Sequence, residues 1–479
     1  MSFFDPEFLV FYLICLVLYY KVRDKDQKFV IFAASSLFIG FISVPFLLYT
    51  YLFILVNYIF GLQIKNFSKN PKAQKIICNS GILLNIGSLF VFKYLNFVLS
   101  SVSQLFNLFN YSLPISAVNI IVPVGISYYT LQGISYLLQV YRGHEPAEKN
   151  IIVFANFILF FPKFLSGPIE LSKTFIPQLK KSFAFDYPLL REGFKLILWG
   201  AFKKIVIADR LAIIINGVYS DLHSFSGIPL WITFVLQPLH LYCDFSGYTD
   251  IAIGIGKTFG LNLTNNFKRP FFSTSVTMFW QRMHISLTFW CNEYIFKRLS
   301  FKLRKWGYWA PVFSVLITFL ILGLWHGPRW TFIIVGLLQG IAINYEYFTK
   351  KYRFAIGKKF PPRLVLYSSY LLTYLFYCFT MTFYNSLKLG DVRYFISNMF
   401  TNIDFFNFNM SIISRSDKII AFFSLLLVFI VEFRQENGKD VFQEIGFWPA
   451  WIRRACYYSL CILIIYFGSS MNEFVYMKF

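Results

Sequence analysis

Residues 94–141 carry no charged side chain, and neither do residues 310–325. Uncharged runs of that length decide the solvent before they decide the fold. In hydrocarbon every backbone N–H and C=O has to find a protein partner, which leaves helices or a closed barrel. The apolar segments within them are continuous rather than alternating, so helices are the expectation. The second run closes on Ile321-Leu-Gly-Leu-Trp-His-Gly-Pro-Arg-Trp330. Gly327 and Pro328 stop the helix there, because the residue before a proline resists helical angles. His326 then falls in the last turn, where a polar side chain must be hydrogen-bonded or paired. Position alone leaves two readings open: a general base working near neutral pH, or a structural histidine capping a helix carbonyl.

The whole chain follows the same pattern. Of its 479 residues 57% are hydrophobic and only 14% charged, where a soluble chain carries about a quarter charged residues. The fold class expected is an all-α polytopic membrane protein, with 1–479 as a single integral-membrane domain. The aromatic share of 21% fits apolar spans with interfacial belts. Net charge is +22, which in a soluble protein would suggest nucleic acid. Here the lysines and arginines lie in short runs between apolar segments, so positive-inside topology explains them first and nucleic acid is not an expected partner. Attraction of an anionic cytosolic substrate is the second explanation. The seven cysteines are scattered and form no CxxC pair, so neither a disulfide frame nor a metal site is expected.

Taken in order, residues 8–20 give a first short span. Asp5 and Glu7 precede it and Lys21, Arg23 and Lys25 follow, the reverse of a signal peptide, which puts the N-terminus outside. Residues 29–62 read as an apolar pair hinged near Pro45, and residues 76–99 go out again. The polar, uncharged stretch 101–119 reads as an external loop, and residues 122–141 return. Residues 151–165 are too short and too interrupted by Pro162 for a full crossing, so a re-entrant segment is expected. Residues 191–210 mix lysines, Asp209 and Arg210 with apolar positions and read as lying along the cytosolic interface. Asp244 and Asp250 follow the apolar run 228–242; acids at such depth need partners and look structural. Gly254, Gly256 and Gly260 have the wrong spacing for a nucleotide loop and read as close-contact positions. In residues 279–294, helical spacing places Trp280, His284, Leu287 and Cys291 on one face. A lone histidine in such company is a satisfied core residue at least as readily as a functional one. Further spans are read at 331–347, 364–384, 419–431 and 457–467. No internal repeat and no paired charge within the apolar stretches is visible, which weighs against a transporter or flippase.

Several strings are specific. They are Pro123-Val-Gly-Ile-Ser-Tyr-Tyr-Thr-Leu-Gln132 with Tyr141-Arg142; Phe161-Pro162 with Gly167-Pro168-Ile169; and Lys203-Lys-Ile-Val-Ile-Ala-Asp-Arg210. To these add Asp244-Phe-Ser-Gly-Tyr-Thr-Asp-Ile-Ala-Ile-Gly254, Asn266-Phe267 with Arg269-Pro270, and Gly323-Leu-Trp-His-Gly327. Together they resemble the membrane-bound O-acyltransferase family, in its bacterial branch of alginate O-acetylases, peptidoglycan O-acetyltransferases and teichoic-acid D-alanyl transferases. The resemblance covers nearly the whole chain.

It implies a ring of transmembrane helices with re-entrant and interfacial helices around a central tunnel. It implies a multi-pass protein of the bacterial inner (cytoplasmic) membrane. Two histidines carry the family's chemistry, here His284 and His326, the second being the essential one. Trp325, Trp280, Ser286 and Asn266 would line the substrate tunnel. Around His284 the string departs from the family: Gln281 and Met283 stand where Arg and Trp are usual. No bound cofactor or metal is implied. The co-substrate would be acetyl-CoA or another acyl thioester, and the acceptor an extracytoplasmic polysaccharide reached through a secreted or membrane-anchored SGNH-type partner. D-alanyl transfer to teichoic acid is the alternative within the family. The tail, 472–479, resembles the branch's aromatic ending. Tyr476 is there either an acyl relay or, as terminal aromatics more often are, an interfacial anchor.

Overall fold

The computed structural model describes residues 3–111, 117–404 and 412–468. Tyr476 and the centre of the 101–119 loop lie outside the described residues. Every regular element among the described residues is helical, save one isolated antiparallel bridge between Phe267 and Met283. Among the described residues six helices are long and apolar enough to cross a membrane: Val44–Asn66, Pro71–Asn107, Trp309–His326, Trp330–Gly357, Pro362–Asn385 and Ala450–Phe467. Many bulky apolar side chains on them stay exposed to the surroundings, among them Leu48, Ile76, Leu83, Leu372 and Ile465. Such faces are stable against lipid and not against water.

The chain divides into two compact units, Met1–Ile197 with Ala252–Thr264, and Leu198–Ile251 with Asn265–Phe479. In the first, prolines set the helix starts. Pro6, Pro45 and Pro71 occupy first-turn positions, where a missing N–H costs nothing. The hinge expected near Pro45 is the break between Gln27–Ile42 and Val44–Asn66. Asn57 and Asn85 exchange amide hydrogen bonds of 3.2 and 2.9 Å, which ties two apolar helices through a fully satisfied buried pair. Residues 151–165 form two short buried helices, Ile151–Leu159 and Phe161–Phe164, parted where Phe160 takes φ −42° and ψ 106°. Lys163, in the second, donates to the Phe157 carbonyl (2.6 Å) and to Gln132 (2.9 Å). The close-contact reading of Gly254 holds. A Cβ there would meet the Gly193 carbonyl at 2.6 Å, and one on Gly193 would meet the Gly254 carbonyl at 2.7 Å.

In the second unit two sequence expectations are corrected. Residues 203–210 do not offer their charges to an aqueous interface. Lys203, Lys204, Asp209 and Arg210 are all buried, on a π-helical turn, Phe202–Ala208, and the helix Asp209–Ser220 that continues it. Paired charges within the apolar stretches also exist after all. Lys203 meets Asp250 at 2.8 Å, and Lys204 meets Asp209 at 2.8 Å and Asp244 at 2.5 Å. The partners are 40 or more positions apart in two of the three pairs, so no local pattern announces them. Arg210 reaches Asp417 at 3.0 Å, and the Tyr242 hydroxyl donates to Glu432. Asp244 and Asp250 thus have the partners that acids at such depth require.

Candidate functional site

Placing His326 requires that two helices come very close. Trp309–His326 and Trp330–Gly357 are joined by three residues and pack along Gly323 and Gly336. A Cβ on Gly323 would run into the Phe332 carbonyl, and one on Gly336 into the Phe319 carbonyl. Backbone contact of this kind fixes the hairpin's register and with it the last turn that bears His326. The helix ends at His326, as its Gly-Pro sequel requires, and Gly327 continues as extended chain.

His284 is placed differently, and the single helix expected over 279–294 is corrected. Val276–Arg282 and Ile285–Cys291 are separate helices, and His284 between them takes φ 49° and ψ 51°. Such a left-handed conformation is uncommon for a residue with a Cβ, and histidine tolerates it better than most. Its cost is met by a strap formed from residues 266–272. The Asn266 carbonyl accepts from the Ile285 N–H (2.9 Å), the Asn266 side chain accepts from Ser286 N–H (3.1 Å), and Lys268 N–H donates to the Arg282 carbonyl (2.9 Å). Asn266 therefore satisfies first-turn donors of the second helix. At the other end Glu346 accepts from the backbone N–H of Val276 and Thr277, at 2.5 and 3.0 Å, where a carboxylate suits the helix dipole. Glu436 joins Arg269 (2.8 Å) to Arg282 (2.9 Å) and so clamps the strap to the first helix.

The two histidines line one small cavity of about 30 Å³, together with Trp280, Gln339, Tyr377, Thr380, Tyr384 and several apolar side chains. That is room for one or two waters or a comparably small group. Both imidazoles are framed by aromatic rings. Phe245 and Trp325 stand edge-on to His284 at 4.7 and 5.8 Å, and Tyr384 edge-on to His326 at 5.7 Å. One polar chain runs along the cavity wall. Trp280 Nε1 donates to Gln339 (3.0 Å), Gln339 donates to the Thr380 hydroxyl (3.0 Å), and that hydroxyl donates to the Tyr377 carbonyl (3.0 Å). Beyond His326, Arg329 lies over the Phe332 ring at 4.2 Å and reaches the Ser386 carbonyl at 3.4 Å.

Of the residues named from sequence, His284, His326 and Trp280 meet at this cavity. Trp325 packs against both imidazoles, at 5.8 Å from His284 and 5.4 Å from His326. Asn266 and Ser286 hold the turn at His284 and do not line the cavity. Sequence reading missed Gln339, Thr380 and Tyr384. All three lie buried on apolar helices, Gln339 on Trp330–Gly357 and Thr380 and Tyr384 one turn apart on Pro362–Asn385, and polar residues in such helices were the available signal.

Chemically, the cavity wall offers imidazoles and phenols but no carboxylate, ammonium, serine or thiol among the described residues. That set can accept and return a proton. Proton transfer to and from a bound hydroxyl is a chemistry open to its own side chains.

Residues 144–387, which include both histidines and the whole cavity wall, match the membrane-bound O-acyltransferase (MBOAT) family. A protein of Pseudomonas aeruginosa described as a probable alginate O-acetylase is 32% identical over 376 residues, 78% of this chain and 70% of its own. The peptidoglycan O-acetyltransferase of Helicobacter pylori is 28% identical over 96% of this chain and 93% of its own length. The teichoic acid D-alanyltransferase of Bacillus subtilis is 28% identical over 54% of this chain and 68% of its own. The chain belongs to the membrane-bound O-acyltransferase family and is a multi-pass membrane acyltransferase.

Proposed function

We propose that this acyltransferase moves an acetyl group from a cytosolic acyl thioester, such as acetyl-CoA, to a hydroxyl of an extracytoplasmic polysaccharide or cell-envelope polymer. The membrane is the bacterial inner membrane, and a secreted or membrane-anchored SGNH-type enzyme completes the delivery. The observation that carries the reading is the pairing of His284 and His326 on one enclosed cavity too small for much more than an acetyl group. In the reaction an acceptor hydroxyl oxygen bonds to the thioester carbonyl carbon and the carbon–sulfur bond breaks. His326 accepts the hydroxyl proton and returns it to the departing thiolate, so the imidazole ends as it began. A cavity walled in part by the buried Trp280 and Tyr384 limits the bulk water that could hydrolyse the thioester.

Acetyl is favoured over D-alanyl because the O-acetylase and O-acetyltransferase relatives match over more of the chain than the D-alanyltransferases do. D-alanyl is also larger than acetyl and carries an ammonium, for which the cavity wall holds no carboxylate. The buried ion pairs around Lys203 and Lys204 remove one argument against a transporter, yet each cation there is already held by acids. The experiment is the O-acetyl content of the envelope and exopolysaccharide in cells with and without the gene. Loss of O-acetyl esters supports the reading; loss of D-alanyl esters with acetyl unchanged replaces it with the alternative.

A further inference from the structure

The histidine cavity shares two wall residues, Trp280 and Leu322, with a second and much larger cavity. The second has a volume of about 370 Å³ against about 30 Å³ for the first. That is within the range of small-molecule sites, roughly 300–1,000 Å³. Its wall carries no charged side chain; Ile285, Phe289, Phe296, Val315 and Ile343 make most of it apolar. We propose that Trp280 is the partition between the two cavities and sets the length of the acyl group that can sit beside His326.

The indole is held from two directions. Its N–H is fixed by Gln339, which is fixed in turn by Thr380. Its ring stands edge-on to Phe319, at 5.4 Å, and Phe319 lines the larger cavity. A side chain that is buried, hydrogen-bonded and packed on its far face cannot swing aside without breaking a buried hydrogen bond. An acetyl methyl fits on the histidine side. The third and later carbons of a butyryl or hexanoyl group would have to occupy the indole's place. With the indole gone, those carbons would run into an uncharged apolar space already present. Gln339 and Thr380 are positioning residues for the wall. The inference rests on the acyl-transfer reading and specifies its substrate.

The test supplies labelled acetyl-, butyryl- and hexanoyl-CoA to permeabilised cells that express the full chain as its only copy, and measures label esterified to envelope polymer. Trp280→Ala is expected to raise the hexanoyl-to-acetyl ratio by about ten-fold or more, since single methylenes in tight pockets discriminate by about 10–200-fold. Leu322→Ala, which thins the same wall while keeping the indole and its hydrogen bond, is expected to raise it less. Gln339→Leu, which frees the indole without removing volume from the wall, is expected to shift the ratio in the same direction; a merely structural role would lower all three esters together. An unchanged ratio in Trp280→Ala overturns the proposal. Should that variant fail to accumulate, an unchanged ratio in Leu322→Ala does so. If the wild-type chain esterifies none of the three, the acyl-transfer reading itself falls, and that result is distinct from the others.

Discussion

Around Lys204 charge faces charge: the ammonium lies 2.8 Å from Asp209 and 2.5 Å from Asp244, and its neighbour Lys203 lies 2.8 Å from Asp250. Around His326 the cavity wall carries no acid, lysine or arginine among the described residues, only rings, one anchored amide and apolar side chains about a void. Both clusters are buried in the same unit. In the first, the carboxylates hold the ammonium groups and the product is a fixed helix packing. The second keeps its polar wall satisfied through Trp280, Gln339 and Thr380, while its imidazoles border an open volume. Buried polarity is therefore a poor guide to function until the space beside it is known.

The comparison breaks most visibly at Lys204. Lys204→Met leaves Asp209 and Asp244 buried without their cation, and removal of one partner of a buried ion pair costs about 3–5 kcal/mol. The expected result is loss of folded protein, read as thermal stability and monodispersity in detergent; a variant with wild-type stability and reduced transfer would place the pair in the chemistry instead. Thr380→Val is milder. It strands the Gln339 amide and should cost between about 1 and 3 kcal/mol, measured the same way.

His284 separates backbone from ring. His284→Ala puts alanine in a left-handed conformation, at a cost of the order of 1 kcal/mol or more, whereas asparagine tolerates it. His284→Asn should thus be the more stable of the two by about 1 kcal/mol. If His284→Asn also restores transfer, the residue serves only to turn the chain. The smallest effect expected is one of pH. Glu145, in a loop of the first unit, accepts a hydrogen bond from Ser172, and burial raises its carboxyl from the ordinary 4.5 to about 7. The folded protein then binds a proton that the unfolded chain has lost, so stability falls as pH rises between about 4.5 and 7. Glu145→Gln should flatten that slope in thermal melts taken from pH 5 to pH 8, which contrasts a carboxyl dominated by burial with the ion-paired acids around Lys204.

Much of this was legible beforehand. Apolar runs gave the long helices, and Gly327-Pro328 gave the end of the one that bears His326. What sequence could not give was set by long-range pairing. A helical face drawn through Trp280, His284 and Leu287 ignored that the Asn266 strap could hold a left-handed residue in its middle. Lys203 and Lys204 looked interfacial because their acids arrive from another helix. Gln339 and Thr380 looked like incidental polar residues in apolar spans, for their value lies in reaching Trp280 and each other.

The proposed role of His326 is to move protons in a cavity that does not depend on it for folding. It is tested most directly by His326→Ala, with polymer O-acetyl content and thermal stability in detergent measured on the same preparation. The expected result is a melting temperature close to wild type and a fall in transfer of about 10²–10⁴-fold, the usual cost of losing a positioned general base. O-acetylation near the wild-type level in a folded His326→Ala protein would contradict it.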